Sequence, residues 1–357
     1  MKTNQQRLFY LDVIRVASAI LIVIYHFSFS LPWPVDVLHS TVNGSWGMTP
    51  VYCFFMVSGA ALMHRYGKEE GFKIGKFYSR RFLGIYPLFW IAYLIGFFAV
   101  YWQLGHLYDV PSWSLIWSII GLDGWVVNWV PTFYMVGEWF LGSIIMLYLA
   151  FPAVRFLWRK NWKVLTGVFF LIALVLFWYH PFPMEIKQNP AVDLFYFLLG
   201  AAVEEIRNKG IAQDRKWVKA GGILFCLVYF FFWFFVPLTE SLPPMEASVS
   251  AQASGLGIFL RQSFILVSTL VFYLFCMGIS SWLEGRKHGK KVILEISGKS
   301  YGIFLTHHMV SQSLCGHFDG ASLSTREILA VLVLVFFVTW LVTLGIYRIE
   351  AYIKERF

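Results

Sequence analysis

Charge is what this sequence has least of. Asp, Glu, Lys and Arg together make up 14% of its 357 residues, against roughly a quarter in a soluble domain. With 58% hydrophobic residues beside so little charge, no water-soluble core could bury the apolar surface. The same figures exclude disordered, collagen-like and coiled-coil architectures. Cysteine is scarce too. Three of the four cysteines, Cys53, Cys226 and Cys276, lie inside apolar runs and Cys315 lies near the end of one, which excludes a disulfide framework and reads as buried thiols. No cleavable leader is expected, because Asp12 and Arg15 interrupt the first apolar run and no small-residue cleavage site follows it. No internal repeat, low-complexity tract or appended soluble domain stands out, so residues 1–357 are expected to form one transmembrane domain. Metal-ligand spacings, nucleotide-binding glycine loops and nucleophile elbows are also lacking, and no metal site is expected.

Long apolar runs and aromatic rings are abundant. Phe, Trp and Tyr reach 20% of the chain, as suits rings seated at membrane interfaces. Runs of spanning length, judged against roughly 20 residues per helix, fall at 8–30, 47–65, 82–103, 133–153, 164–180, 191–206, 217–237, 259–282, 293–315 and 327–347. The stretch 113–121 is too short to span and reads as interfacial or re-entrant. The fold class expected is therefore all-α, a polytopic integral membrane protein with ten transmembrane helices.

The net charge of +9 would suggest nucleic acid if it were clustered on a soluble face. Instead the lysines and arginines alternate between loops. With the N-terminus inside, the inner segments collect clusters such as Lys73, Lys76, Arg80 and Arg81, then Arg155, Arg159, Lys160 and Lys163, whereas the outer segments hold only Lys187, Arg261 and Arg326. Cytoplasmic loops accumulate such residues. Both termini are thus expected to be cytoplasmic, with no nucleic-acid partner and the membrane lipid as surroundings.

Ionisable side chains inside spans are expensive and mark functional sites by default. The first span carries Asp12, Arg15 and His26. Eleven residues of helix rise roughly 16.5 Å and turn about three times plus 20°, so Arg15 and His26 share one face, Arg15 nearer the cytoplasm. Ser18, Ala19 and Ile22 lie between them on that face.

Several segments in order resemble the membrane-bound acyltransferase family 3. LDVIRVASAILIVIYHFSFS resembles its Arg-x10-His helix, FFMVSGAALM (54–63) its Phe-x-x-Ser-Gly-Phe span, and YSRRFLGIYPLFW (78–90) the basic start of its third span. WFLGSIIMLYLAFP (139–152) is similar to the family's fourth-span motif, and SGKSYGIFLTHHMV (297–310) to its Gly-Lys-x-Ser-Tyr…His segment. The departures are Gly84 where many relatives have a second arginine, Ile144 and Ile145 at acidic positions, Ala60 after Ser58-Gly59, and His308 at a usual proline.

The resemblance implies transfer of an acyl group, usually acetyl, from cytoplasmic acyl-coenzyme A to a hydroxyl on the far side, on a cell-surface or lipid-linked glycan or another hydroxyl acceptor. The residues fit that chemistry. Such transfer needs a base for the hydroxyl proton, and histidine's ordinary pKa suits it. His26 is the candidate base. Arg15 is the candidate cation for the coenzyme's oxygens or for charge on the thioester oxygen. Arg80 and Arg81 are candidates for the coenzyme's phosphates, with plain topology signalling as the alternative. Ser58 reads more readily as close helix packing than as chemistry. Glu138 is either a buried acid tuning a histidine or a group at the outer interface. Trp139, Tyr301 and His307 are candidate cavity residues, with structural hydrogen bonding equally open for His307. A bacterial cytoplasmic membrane, with the acceptor on its outer side, is the location expected. The competing class is a secondary transporter using Arg15 and His26 as an intramembrane relay; a scramblase or sensor is more remote.

Overall fold

The computed structural model describes residues 7–31, 46–105, 109–133, 136, 138–209 and 255–356. Among these residues the architecture is all helical: α1 (Phe9–Ser30), α2 (Met48–Tyr66), α3 (Ile74–Leu104), the short α4 (Leu115–Ile120) and α5 (Asp123–Val126), α6 (Glu138–Trp178), α7 (Pro190–Asn208), α8 (Leu256–Glu284), α9 (Lys287–Cys315) and α10 (Thr325–Arg356). Five helical stretches are long and apolar enough to cross a membrane: Phe9–Ser30, Ile74–Trp102, Trp139–Trp178, Leu256–Glu284 and Thr325–Arg356. The expected spans 133–153 and 164–180 share one element: α6 covers 138–153 of the first and 164–178 of the second. Asn161 divides it with extended backbone (φ −161°, ψ 96°), and its Oδ1 accepts the Val164 N–H at 3.2 Å, capping the second half. Helices α2, α7 and α9 occupy the expected spans 47–65, 191–206 and 293–315. Charges such as Asp193, Glu204, Glu205 and Arg207 on α7 make that helix a less apolar one. The expected span 217–237 lies outside the described residues.

The chain divides into two compact units, one of Met1–Ser18, Ser40–Phe72 and Ala150–Gly298, the other of Ala19–His39, Lys73–Leu149 and Lys299–Phe357. In the first unit α2 and α7 cross at backbone contact. A Cβ added to Gly59 would run into the Phe197 carbonyl, and one added to Gly200 into the Met56 carbonyl. Only glycine permits this approach, and the packing gained replaces the hydrophobic drive that lipid does not supply. Tyr52 and Tyr196 stack beside the crossing with ring centroids 3.8 Å apart. At one end of this unit basic side chains gather. Arg155 donates to the Tyr66 carbonyl at 2.7 Å and to that of Glu69, Lys68 pairs with Glu205 at 3.4 Å, and Arg207, Lys209 and Lys290 lie over the rings of Tyr10, Trp162 and Phe9. A shallow cleft of about 50 Å³ opens there, lined by His64, Lys68, Trp158, Glu204, Glu205 and Asn208 among others. At the opposite end of α7, α6 finishes and α7 and α8 begin. The Gly255 N–H donates to the Trp178 carbonyl at 3.2 Å, and Asn189, the N-cap of α7, donates to His180 at 3.1 Å.

In the second unit α3 carries a ladder of polar aromatics at helical spacing. Tyr86 donates to the Ile120 carbonyl (2.9 Å), Trp90 to that of Ile119 (2.8 Å), and Tyr93 to the Ser118 hydroxyl (2.8 Å). Positions i, i+4 and i+7 lie on one helix face, so this ladder straps α4 along α3. The stretch 113–121 is thus a short helix held against a neighbour by its carbonyl end. Gly302 brings α9 against Thr343 and Tyr347 of α10, and Thr306 and Thr343 share a hydrogen bond at 3.2 Å.

Candidate active site

The second unit brings three histidines together. His26 of α1 lies with its ring centroid 4.9 Å from that of His307 and 4.9 Å from that of His308, both on α9. One turn beyond His26 and His307 on their helices, Ser30 and Ser311 share a hydrogen bond at 3.0 Å. The two contacts advance in the same direction on both helices, so here α1 and α9 run parallel, with a polar seam between them.

His307 has a defined protonation pattern. Its Nδ1 lies 2.6 Å from the Phe304 carbonyl oxygen and 3.2 Å from that of Ile303. Carbonyls only accept, so Nδ1 carries the proton and Nε2 keeps its lone pair. That Nε2 is buried and has no hydrogen-bond partner among the described residues. A buried acceptor left unmatched invites a donor, and the His26 ring is its neighbour. Phe140 of α6 packs on Phe304 with centroids 4.6 Å apart, and Phe304 on His307 at 5.8 Å, so α6 backs the turn that orients the imidazole. Among the described residues no group of His, Cys, Asp and Glu is disposed as a set of metal ligands.

The other candidates in this unit take separate positions. Arg81 lies over the rings of Phe77 and Tyr148 at 5.8 and 5.6 Å, and its Nε is buried without a hydrogen-bond partner. Arg80, its neighbour on α3, is exposed. A ring-covered, partly sheltered guanidinium beside an exposed one can meet an anion that reaches in from water. Tyr301 donates to the Ile85 carbonyl at 3.3 Å, tying α9 to α3. Trp139 is half-buried, and its backbone fits against Gly124 so closely that a Cβ there would collide with it. Glu138 opens α6; its side chain lies outside the described residues.

Arg15 and Ser58 belong to the first unit. Arg15 donates to Asp12 at 3.3 Å. Asp12 is fully buried and also accepts from Arg7 through two bonds of 2.8 Å and from the Ser297 hydroxyl at 2.6 Å. Three donors on one carboxylate make a satisfied buried anion, and they anchor α1 to α9 within this unit. Ser58 is half-buried and precedes the Gly59 contact with Phe197, which accords with close helix packing.

Reading the residues in order misses several features of these sites. Glu204 of α7 is buried and accepts from Tyr10, from Arg207 and from His64, the last at 3.0 Å. Its signal was an acid inside an expected span, the same signal that singles out His26. Asp123 is fully buried in α5. Burial pushes its carboxyl up to about 6, with the Ser118 hydroxyl acting in the opposite direction. The spacing of Tyr86, Trp90 and Tyr93 could have announced the strap that carries Ser118.

A family model described as an acyltransferase domain, of acyltransferase family 3, matches residues 8–347. No curated protein and no solved structure matches the chain.

Proposed function

We propose that this chain, which belongs to acyltransferase family 3, is a membrane O-acyltransferase that moves an acyl group, acetyl in the first instance, from cytoplasmic acyl-coenzyme A to a hydroxyl of a cell-surface or lipid-linked glycan. The match spans nearly all of the chain and favours an enzyme over the transporter reading, for which nothing comparable speaks. The topology proposed has ten spans and both termini inside a bacterial cytoplasmic membrane. The gathering of Lys68, Arg155, Arg207, Lys209 and Lys290 at one end of the first unit supports that sidedness.

One observation carries the mechanism: the packing of His26 against the buried, acceptor-only Nε2 of His307. A His26 N–H donated to that lone pair fixes the tautomer of His26 and leaves its other nitrogen as a base. The acceptor hydroxyl would give its proton to His26 as its oxygen bonds to the acyl carbon; the donor's carbon–sulfur bond would break, and His26 would pass the proton to the departing thiolate, which leaves as free thiol. His307 acts through His26 and is a positioning residue. Acyl-coenzyme A supplies, when bound, an activated acyl carbonyl. Arg81, with its unpartnered Nε, and exposed Arg80 are the residues proposed to hold its phosphates. Arg15 is proposed as a further cation toward the donor, held ready by Asp12. Trp139, Tyr301 and Glu138 are proposed to shape the surroundings, and Ser58 is proposed to serve close helix packing in its own unit.

The test is chemical. Purified protein given acetyl-coenzyme A and an envelope glycan should release free thiol and return an O-acetylated glycan by mass spectrometry. Transport of solute without thiol release would favour the carrier instead.

A further inference from the structure

We propose that Arg261 holds a phosphate ester at the end of the first unit where α6 finishes and α7 and α8 begin. Arg261 lies in the second turn of α8 and is 1% exposed. Its Nε and both terminal nitrogens lack any hydrogen-bond partner among the described residues, and no carboxylate acts on it. Several other arginines of the first unit are matched. Arg155, the other buried one among the described residues, donates to two carbonyls and covers the Phe72 ring. Arg207 is bidentate on Glu204, and Arg7 and Arg15 meet on Asp12.

A guanidinium presents five N–H donors and a permanent charge. Burying it with none of them satisfied is costly unless an anion completes the site. The surroundings add to the attraction. The first-turn N–H groups of a helix have no partners of their own within it, and the helix dipole favours negative charge there. Arg261 stands just behind that turn in α8, whose start is pinned by the Gly255–Trp178 hydrogen bond and the Trp178–Phe259 ring contact. Glu185, on the loop at this end, is already paired with Lys187 at 2.7 Å. The fork of an arginine matches two oxygens of one phosphorus centre, and at a membrane surface phosphate esters are the abundant anions.

In the proposed topology this end faces outward, so two sources supply the same chemistry: a phospholipid headgroup, or the phosphate that links a glycan acceptor to its lipid. The second source rests on the acyltransferase reading. Binding is measured without acyl transfer, so a failure here leaves that reading standing, and a failure of acyl transfer leaves this site standing.

The experiment follows thermal unfolding of the purified, delipidated chain while short-chain phosphatidylglycerol and, separately, a polyprenyl phosphate are titrated in. At least one should raise the melting temperature of the parent protein. Arg261→Gln should need roughly tenfold to hundredfold more of it, the worth of charge-assisted hydrogen bonds lost, and Arg261→Lys should fall between. A response to phosphatidylglycerol at the lower concentration assigns the anion to a membrane headgroup; a response to the polyprenyl phosphate at the lower concentration assigns it to a lipid-linked acceptor. Equal responses in parent and Arg261→Gln, or none in the parent, would overturn the proposal. Should Arg261→Gln not fold, native mass spectrometry of the parent decides: a retained phosphate-ester adduct supports the site and its absence overturns it.

Discussion

His26 announces itself because an ionisable side chain inside an apolar run is conspicuous in any sequence. Its partner's state does not. The tautomer of His307 depends on where the carbonyls of Ile303 and Phe304 stand relative to its ring, and that is a matter of rotamer and packing. If His307 positions His26 through Nε2, His307→Leu should lower kcat by about tenfold or more, the scale of one hydrogen bond to the reacting group, with the donor KM unchanged. His307→Gln, which can still present an acceptor, should recover part of that loss. Equal losses in both variants would reduce His307 to a packing role. Asp123 offers a different test, of stability. Its carboxyl titrates near 6 when folded and near 4 when unfolded. Between those values the folded chain keeps a proton that the unfolded chain has released, so its contribution is fully present below about pH 4 and is lost as pH rises through about 6. Asp123→Asn is neutral throughout. Its melting temperature should match the parent's at pH 4 and exceed it at pH 7, by an amount reflecting up to about 3 kcal/mol. An offset that does not change with pH would contradict this assignment.

Helices are the part of the fold most legible in the sequence, because apolar length alone marks them. α1, α3, α8 and α10 follow directly from it. What length cannot show is how one helix meets the next. The division of α6 at Asn161 depends on a single extended residue capping the helix that follows. The crossing of α2 and α7 depends on Gly59 and Gly200 facing each other's backbone, about 140 residues apart in the chain. Gly59→Ala should therefore cost more than the usual gain in helix propensity returns. Less folded protein should survive a detergent challenge, whereas Gly75→Ala on α3, where a Cβ meets nothing within 4 Å, should be harmless. Similar survival of the two variants would remove the crossing from the packing account. On α3, replacing Arg80 and Arg81 together with Gln should raise the donor KM more than any acceptor constant, and added salt should weaken donor binding in the parent. An unchanged donor KM in well-inserted protein would return both arginines to topology signals.

At the scale of the whole molecule, scarcity of charge marks a membrane protein, and the order of five short segments points to its family. The family model spans residues 8–347, and the fold is helical throughout the described residues. Less legible was the pairing of buried charges, because each carboxylate collects donors from distant segments: Asp12 reaches Ser297, and Glu204 reaches Tyr10 and His64. The central claim is that His26 performs acyl transfer in this chain. It is tested most directly by thiol release from acetyl-coenzyme A, with envelope glycan present, by purified parent protein and by His26→Ala shown to insert equally well. The account predicts acceptor-dependent thiol release by the parent and a turnover roughly 10²–10⁴-fold lower in the variant. Near-parental turnover by His26→Ala would contradict it.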